Sequence, residues 1–101
     1  MHKNMAHIDY MDFIAKKLIS QDYNSKIAPM VAAEIVNVDN QLNPLVEKWL
    51  NGESEDYVSQ GYSILGLMKS RGMTYPAALL TIDWLIKEPE KAKQSLEKGI
   101  K

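Results

Sequence analysis

Apolar residues recur at three- and four-residue steps through most of the chain, the spacing of helices with one buried stripe. In "HIDYMDFIAKKLIS", Ile8, Met11, Ile14, Ala15, Leu18 and Ile19 share one face, and Asp12 and Lys16 form an i,i+4 pair on the other. The polar turn "SQDYNS" ends this first helix. A longer seam follows, in which Ala28, Val31, Ile35, Val38, Leu42, Leu45 and Trp49 alternate steps of three and four. Pro44 interrupts it: inside a helix it would remove a hydrogen bond and clash with the preceding turn, at about 3 kcal/mol. Asn43 as cap with Pro44 at the first helical position avoids that cost. The seam therefore reads as one helix kinked there or as two nearly in line, closed by Gly52. In a parallel coiled coil Glu34 and Asp39 would face each other, so an antiparallel partner within the same chain is expected.

In "GESEDYVSQGYSILGLMKSRG", Ser54 followed by Glu55 and Asp56 reads as a helix start. Gly61 and Gly66 would each cost about 1 kcal/mol relative to alanine in a helix interior. The expectation is a short helix, a break near Gly61, and a second helix from about Ser63 to Ser70 ended by Gly72. "MTYP" then forms a corner, and "PAALLTIDWLIK" is a helix stopped by Pro89. Pro76 biases Tyr75 away from helical angles, which argues against Thr74 as the cap. Pro89 opens a last helix whose apolar stripe is only Ala92 and Leu96. No strand-like alternation competes. The fold class is all-α: a compact bundle of five or six helices, a single helical domain over residues 1–101, with a helix-turn-helix-like corner at residues 63–87.

That corner has the outline of a DNA-reading module but not its chemistry. A recognition helix carries polar and basic side chains toward base edges. From Pro76 to Lys87 the polar residues are Thr81, Asp83 and Lys87, and Asp83 repels phosphates. Ala78, Leu79, Ile82, Leu85 and Ile86 make a core stripe. Leu80 and Trp84 point the other way, and leaving both wet forgoes several kcal/mol of burial, at about 1.5–3 for a leucine alone. Either another segment of the chain covers them, or they are an exposed anchor pair for a partner or a second copy. Tryptophan and tyrosine are enriched at interface hot spots. The candidate contact residues are accordingly Met73, Tyr75, Leu80 and Trp84.

Composition narrows the field. Hydrophobic residues make up 46% and charged ones 25%, a globular balance. The absence of cysteine excludes disulfide frameworks, thiol catalysis and thiolate metal sites, and it fits a reducing compartment. The net charge is −1, from 12 Lys+Arg against 13 Asp+Glu, without the basic excess that phosphate binding favours. A nucleic-acid role is the alternative, carried by Lys69 and Arg71 with Lys91, Lys93, Lys98 and Lys101 of the last helix. No apolar run approaches the roughly 18 residues of a membrane span. "MHKNMAHIDYMDF" lacks the apolar segment of a secretory signal, so the expectation is a cytoplasmic protein.

Catalytic and cofactor chemistry finds little purchase. His2, His7, Asp9 and Asp12 are the one cluster with metal-ligand character, but His7 and Asp12 miss the i,i+4 spacing of a helical metal pair. No metal or cofactor is expected. "GYSILGLMKS" outlines a phosphate loop, yet Leu67 and Met68 stand where Lys-Ser should follow the second glycine, and no strand precedes it. Gly66 is read instead as allowing close packing or a break. Glu34, Asp39, Glu47, Asp56 and Asp83 read as solvated helix faces. Glu53, Glu55 and Asp56 suit a helix start better than mimicry of nucleic-acid phosphates. With no cysteine and no interior histidine, the activated nucleophiles and general bases of enzymes are scarce. The reading is a small non-enzymatic adaptor or regulator acting through protein contacts.

Overall fold

The computed structural model describes residues 7–98, and the side chains of residues 10–98. It is all-α, with six helices: α1 (His7–Ser20), α2 (Ala28–Val36), α3 (Asn43–Leu50), α4 (Ile64–Arg71), α5 (Tyr75–Lys87) and α6 (Pro89–Glu97). A 3-10 turn spans Asn40–Leu42, and a small hairpin pairs β1 (Val58–Ser59) with β2 (Tyr62–Ser63). The chain divides into two compact units, one ending at Val38 and one beginning at Asp39.

The first unit is a helical hairpin in which α1 packs on α2. Tyr10, Ile14, Ala15 and Leu18 of α1 are buried, as are Ala28, Ala32 and Ile35 of α2. The stripe of α1 is rotated from the predicted one: Tyr10 joins it and Ile19 is exposed. Leu18 lies near the centre of the buried arc, which leaves Ile19, 100° further round, at its margin. The side chain of Ile8 lies outside the described residues. The turn that ends α1 is a Schellman closure, with Tyr23 N–H donating to the Leu18 carbonyl and Asp22 N–H to that of Ile19. Asp22 supplies the left-handed residue at φ 72°.

The long apolar seam is two helices, and the break lies at Asn37–Asp39 rather than at Pro44. Asn43 is not a cap. It is itself helical (φ −55°, ψ −44°), and Pro44 sits in the first turn of α3, where its missing N–H costs nothing. Asp39 caps the 3-10 turn, its side chain accepting the Gln41 N–H at 3.0 Å, and α3 follows from Leu42 without a side-chain cap. At the far end of α3, Gly52 (φ 88°) closes the helix as predicted, with Glu53 N–H donating to the Lys48 carbonyl and Gly52 N–H to that of Trp49.

The segment after Gly52 overturns the sequence expectation. Residues 53–57 are irregular, and no helix starts at Ser54. Gln60 and Gly61 take φ 53° and 83°, both positive, and form the two-residue turn of the hairpin. Tight pairing and β-rich neighbours (Tyr57, Val58, Tyr62) win over the acidic start. Ser63 then leaves the hairpin as N-cap of α4, its Oγ accepting the Gly66 N–H at 2.9 Å. Gly72 (φ 67°) ends α4 as expected.

The corner of residues 63–87 is built as two helices joined by three residues, Gly72 to Thr74, with α4 packed on α5. Thr74 is the N-cap of α5 after all, its side chain accepting the Ala77 N–H at 3.3 Å. The restraint Pro76 places on Tyr75 is outweighed here, because Pro76 lies in the first turn and Tyr75 is itself buried. Ala78, Leu79, Ile82 and Leu85 are fully enclosed, while Ile86 is half-buried. Ala92 and Leu96 anchor α6.

Candidate functional site

The candidate residues fall on different surfaces of the second unit. Trp84 stands on the outer side of α5 with 36% of its surface exposed, and Leu80, one turn earlier, is half-buried. The indole N–H of Trp84 donates to Glu88 Oε1 at 3.1 Å, and Glu88 Oε2 lies 3.7 Å from Lys91 Nζ. Charged side chains thus border the ring. Met73 is half-buried at the corner, its sulfur 3.7 Å from Thr81 Oγ1. Thr81 Oγ1 also donates to the Ala77 carbonyl at 2.8 Å, an ordinary back-bond of a helical threonine.

Tyr75 belongs elsewhere. It is buried, and its hydroxyl donates to the Glu55 carbonyl at 2.6 Å, tying the irregular segment to the start of α5. Burial, with the nearby charges of Glu55 and Asp56, pushes its phenol up to about 12. The same irregular segment is pinned by an ion pair between Lys48 and Glu55 and by Asp56 Oδ1, which accepts the Leu65 N–H at 3.0 Å. The bond to Glu55 raises the affinity of Lys48 for its proton.

Lys69 and Arg71 line one cleft, and the basic residues differ in exposure and partners. Arg71 is half-buried and donates from Nη2 to the Leu96 carbonyl at 3.0 Å, joining the ends of α4 and α6. Lys69 is exposed, Lys91 is turned toward Glu88, and Lys93 is half-buried. Lys101 lies outside the described residues, as do His2 and the side chains of His7 and Asp9; Asp12 pairs with Lys16 at 3.1 Å. Among the described residues no group of three or more histidine, aspartate or glutamate side chains comes together around a metal-sized space. None of their helices is long and apolar enough to cross a membrane.

Two features escaped the sequence. Asp83 is buried rather than solvated, accepting the Asp39 N–H at 2.8 Å on one oxygen and pairing with Lys87 at 3.0 Å on the other. Its partner lies 44 residues away, and no local pattern reports such a contact. The second is a cleft of about 400 Å³ between β2 and α4, walled by Tyr62, Ser63, Lys69, Ser70 and Arg71 with Gly66 at its base. Apart from Arg71, its residues lie within the stretch that outlines a phosphate loop, but the backbone there is already spoken for. Ile64 N–H donates to the Tyr57 carbonyl, Leu65 N–H to Asp56 and Gly66 N–H to Ser63. A glycine-rich cradle of free N–H groups is therefore not what this stretch forms.

Comparison of the chain with protein-family models, with curated proteins and with solved structures finds no match to any of them.

Proposed function

We propose that this chain is a small non-enzymatic adaptor or regulator that works by binding another protein, with Trp84 and Leu80 on the outer side of α5 as its anchors. One observation carries the reading. Trp84 keeps 36% of its surface exposed on a helix whose Ala78, Leu79, Ile82 and Leu85 are all at 0%. A large aromatic ring at the surface, bordered by polar groups, is how interface hot spots are built. The hydrogen bond to Glu88 holds the indole in one orientation, so less side-chain entropy is lost when a partner covers it. Met73, half-buried at the corner and in contact with Thr81 of α5, adds an adaptable side chain. The nucleic-acid alternative has weaker support, because Lys91 is turned toward Glu88 and the chain has no basic excess.

The test is co-purification of the tagged full chain from a native lysate with nuclease present, beside a Trp84→Ser variant whose helical circular dichroism matches the parent. Loss of a co-purifying protein in the variant supports the surface. Retention of that protein removes Trp84 as an anchor. Partners released by nuclease from the parent chain turn attention to Lys69, Arg71, Lys91 and Lys93.

A further inference from the structure

The cleft between β2 and α4 has the chemistry of an oxyanion site, and the geometry points to a small phosphate monoester as its ligand. This rests on different residues from the α5 surface and stands or falls apart from it. At about 400 Å³ the cleft falls in the range of small-molecule sites, larger than one phosphate group alone would need. The polar side chains that wall it are two cations and three hydroxyls: Lys69, Arg71, Tyr62, Ser63 and Ser70. No carboxylate is among them, in a chain whose acids outnumber its bases 13 to 12.

The glycine at its base is part of the construction. Gly66 lies in the first turn of α4 and lines the hollow, and an added Cβ would lie 2.6 Å from Ser63 Oγ. That position costs α4 about 1 kcal/mol relative to alanine. Neither cation is drawn off by a neighbouring acid among the described residues, a condition they share with Lys26, Lys93 and Lys98. Lys16, Lys48, Lys87 and Lys91 each stand within 4 Å of a carboxylate. Arg71 spends Nη2 on the Leu96 carbonyl, which fixes the guanidinium plane and leaves its other N–H groups without a protein acceptor among the described residues. A half-buried guanidinium held in one orientation is suited to two-point contact with an oxyanion. A carboxylate has two oxygens to satisfy and a terminal phosphate has three. Ser70 Oγ already donates to the Gly66 carbonyl at 2.7 Å, so four side chains around the hollow, Lys69, Arg71, Tyr62 and Ser63, have donors for the ligand. Four are still the better match to the phosphate, with the organic part of the ester lying toward Tyr62.

The test is a titration of the 15N-labelled full chain with glycerol phosphate, with inorganic phosphate, with acetate, and with a short DNA duplex, followed by amide and arginine side-chain shifts. The expected result is saturable shifts at Gly61, Gly66, Ser70 and Arg71 Nε with glycerol phosphate, weaker ones with phosphate, and little with acetate. Lys69→Gln, an exposed position, should weaken the ester by about tenfold, as the loss of one charge-assisted contact does. Arg71→Lys should weaken it further. Should Arg71→Lys fail to fold, the Lys69→Gln comparison decides alone. Shifts absent from these residues, unchanged in Lys69→Gln, or spread equally over Lys26 and Lys98 would overturn the proposal. Binding of the duplex without binding of the ester would overturn it too, in favour of nucleic acid.

Discussion

The carboxylate of Asp83 accepts the backbone N–H of Asp39 at 2.8 Å, fastening the first residue of the second unit to the middle of α5. Its other oxygen meets Lys87 at 3.0 Å, so one side chain serves two donors from within a nearly closed site. Asp83→Ala leaves the Asp39 N–H without its acceptor and should cost about 1–3 kcal/mol. Asp83→Asn keeps a carbonyl oxygen for that N–H and should recover a large part of the loss. Denaturant melts of the two variants check this. Equal stability of both with the parent would mean that water replaces the carboxylate.

Tyr75 gives the second unit a pH dependence of known sign. Its phenol is raised to about 12 in the fold, against about 10 in an unfolded chain. Below the unfolded value both states hold the proton, and the contribution is fully present. As pH rises from about 10 toward 12 the unfolded state releases the proton first, so stability falls with pH and then levels off. Other tyrosines and the lysines titrate in the same window, so the informative quantity is a difference. The slope of stability against pH should be shallower in Tyr75→Phe, which itself costs about 1 kcal/mol for the lost bond to Glu55. Parallel slopes would show that Tyr75 ionises as freely in the fold as outside it.

The hairpin turn offers a prediction in each direction. Gly61 sits at φ 83°, where a Cβ strains the backbone, so Gly61→Ala should destabilise by about 1–2 kcal/mol although nothing lies within 4 Å of the added carbon. Gln60 also has positive φ, and asparagine tolerates that conformation better in a two-residue turn. Gln60→Asn should therefore stabilise by about half a kcal/mol. Thermal melts of the two variants should move in opposite directions.

The two sides of α5 should respond differently to truncation. Leu79→Ala empties a fully enclosed site and should cost about 2–5 kcal/mol. Trp84→Ser removes a side chain already partly in water and should cost about 2 kcal/mol, less than Leu79→Ala. A Trp84→Ser variant as unstable as Leu79→Ala would make Trp84 a core residue and withdraw it from the proposed surface.

The helices were legible because burial on one side leaves a three-and-four rhythm, and Ala78, Leu79, Ile82 and Leu85 carry it without ambiguity. The hairpin was not, since strands of two residues are too short to alternate. Its one signal was Gln60-Gly61 between β-rich neighbours, which the acids at Glu55 and Asp56 masked by imitating a helix start. The cap at Thr74 is masked for a related reason. A residue before proline is biased away from helical angles, and the first turn of a helix relaxes that bias at Tyr75. Trp84 could be assigned an angle on α5 from its position alone, but periodicity does not say what stands opposite. The cleft depends on β2 and α4 folding beside each other, and only after the hairpin is known do Tyr62, Ser63 and Lys69 become neighbours.

The bond from Arg71 to Leu96 bears on how the molecule comes apart. Helix α6 buries only Ala92 and Leu96, and Arg71 reaches its last turn, where a cation complements the exposed carbonyls. So few fastenings let α6 open at lower cost than α5 while the rest stays folded. Its amides should exchange with solvent ahead of those of α5, and a protease should cut within residues 89–98 before it cuts within α5. Whatever docks on Arg71 would then slow that exchange without touching α6 itself.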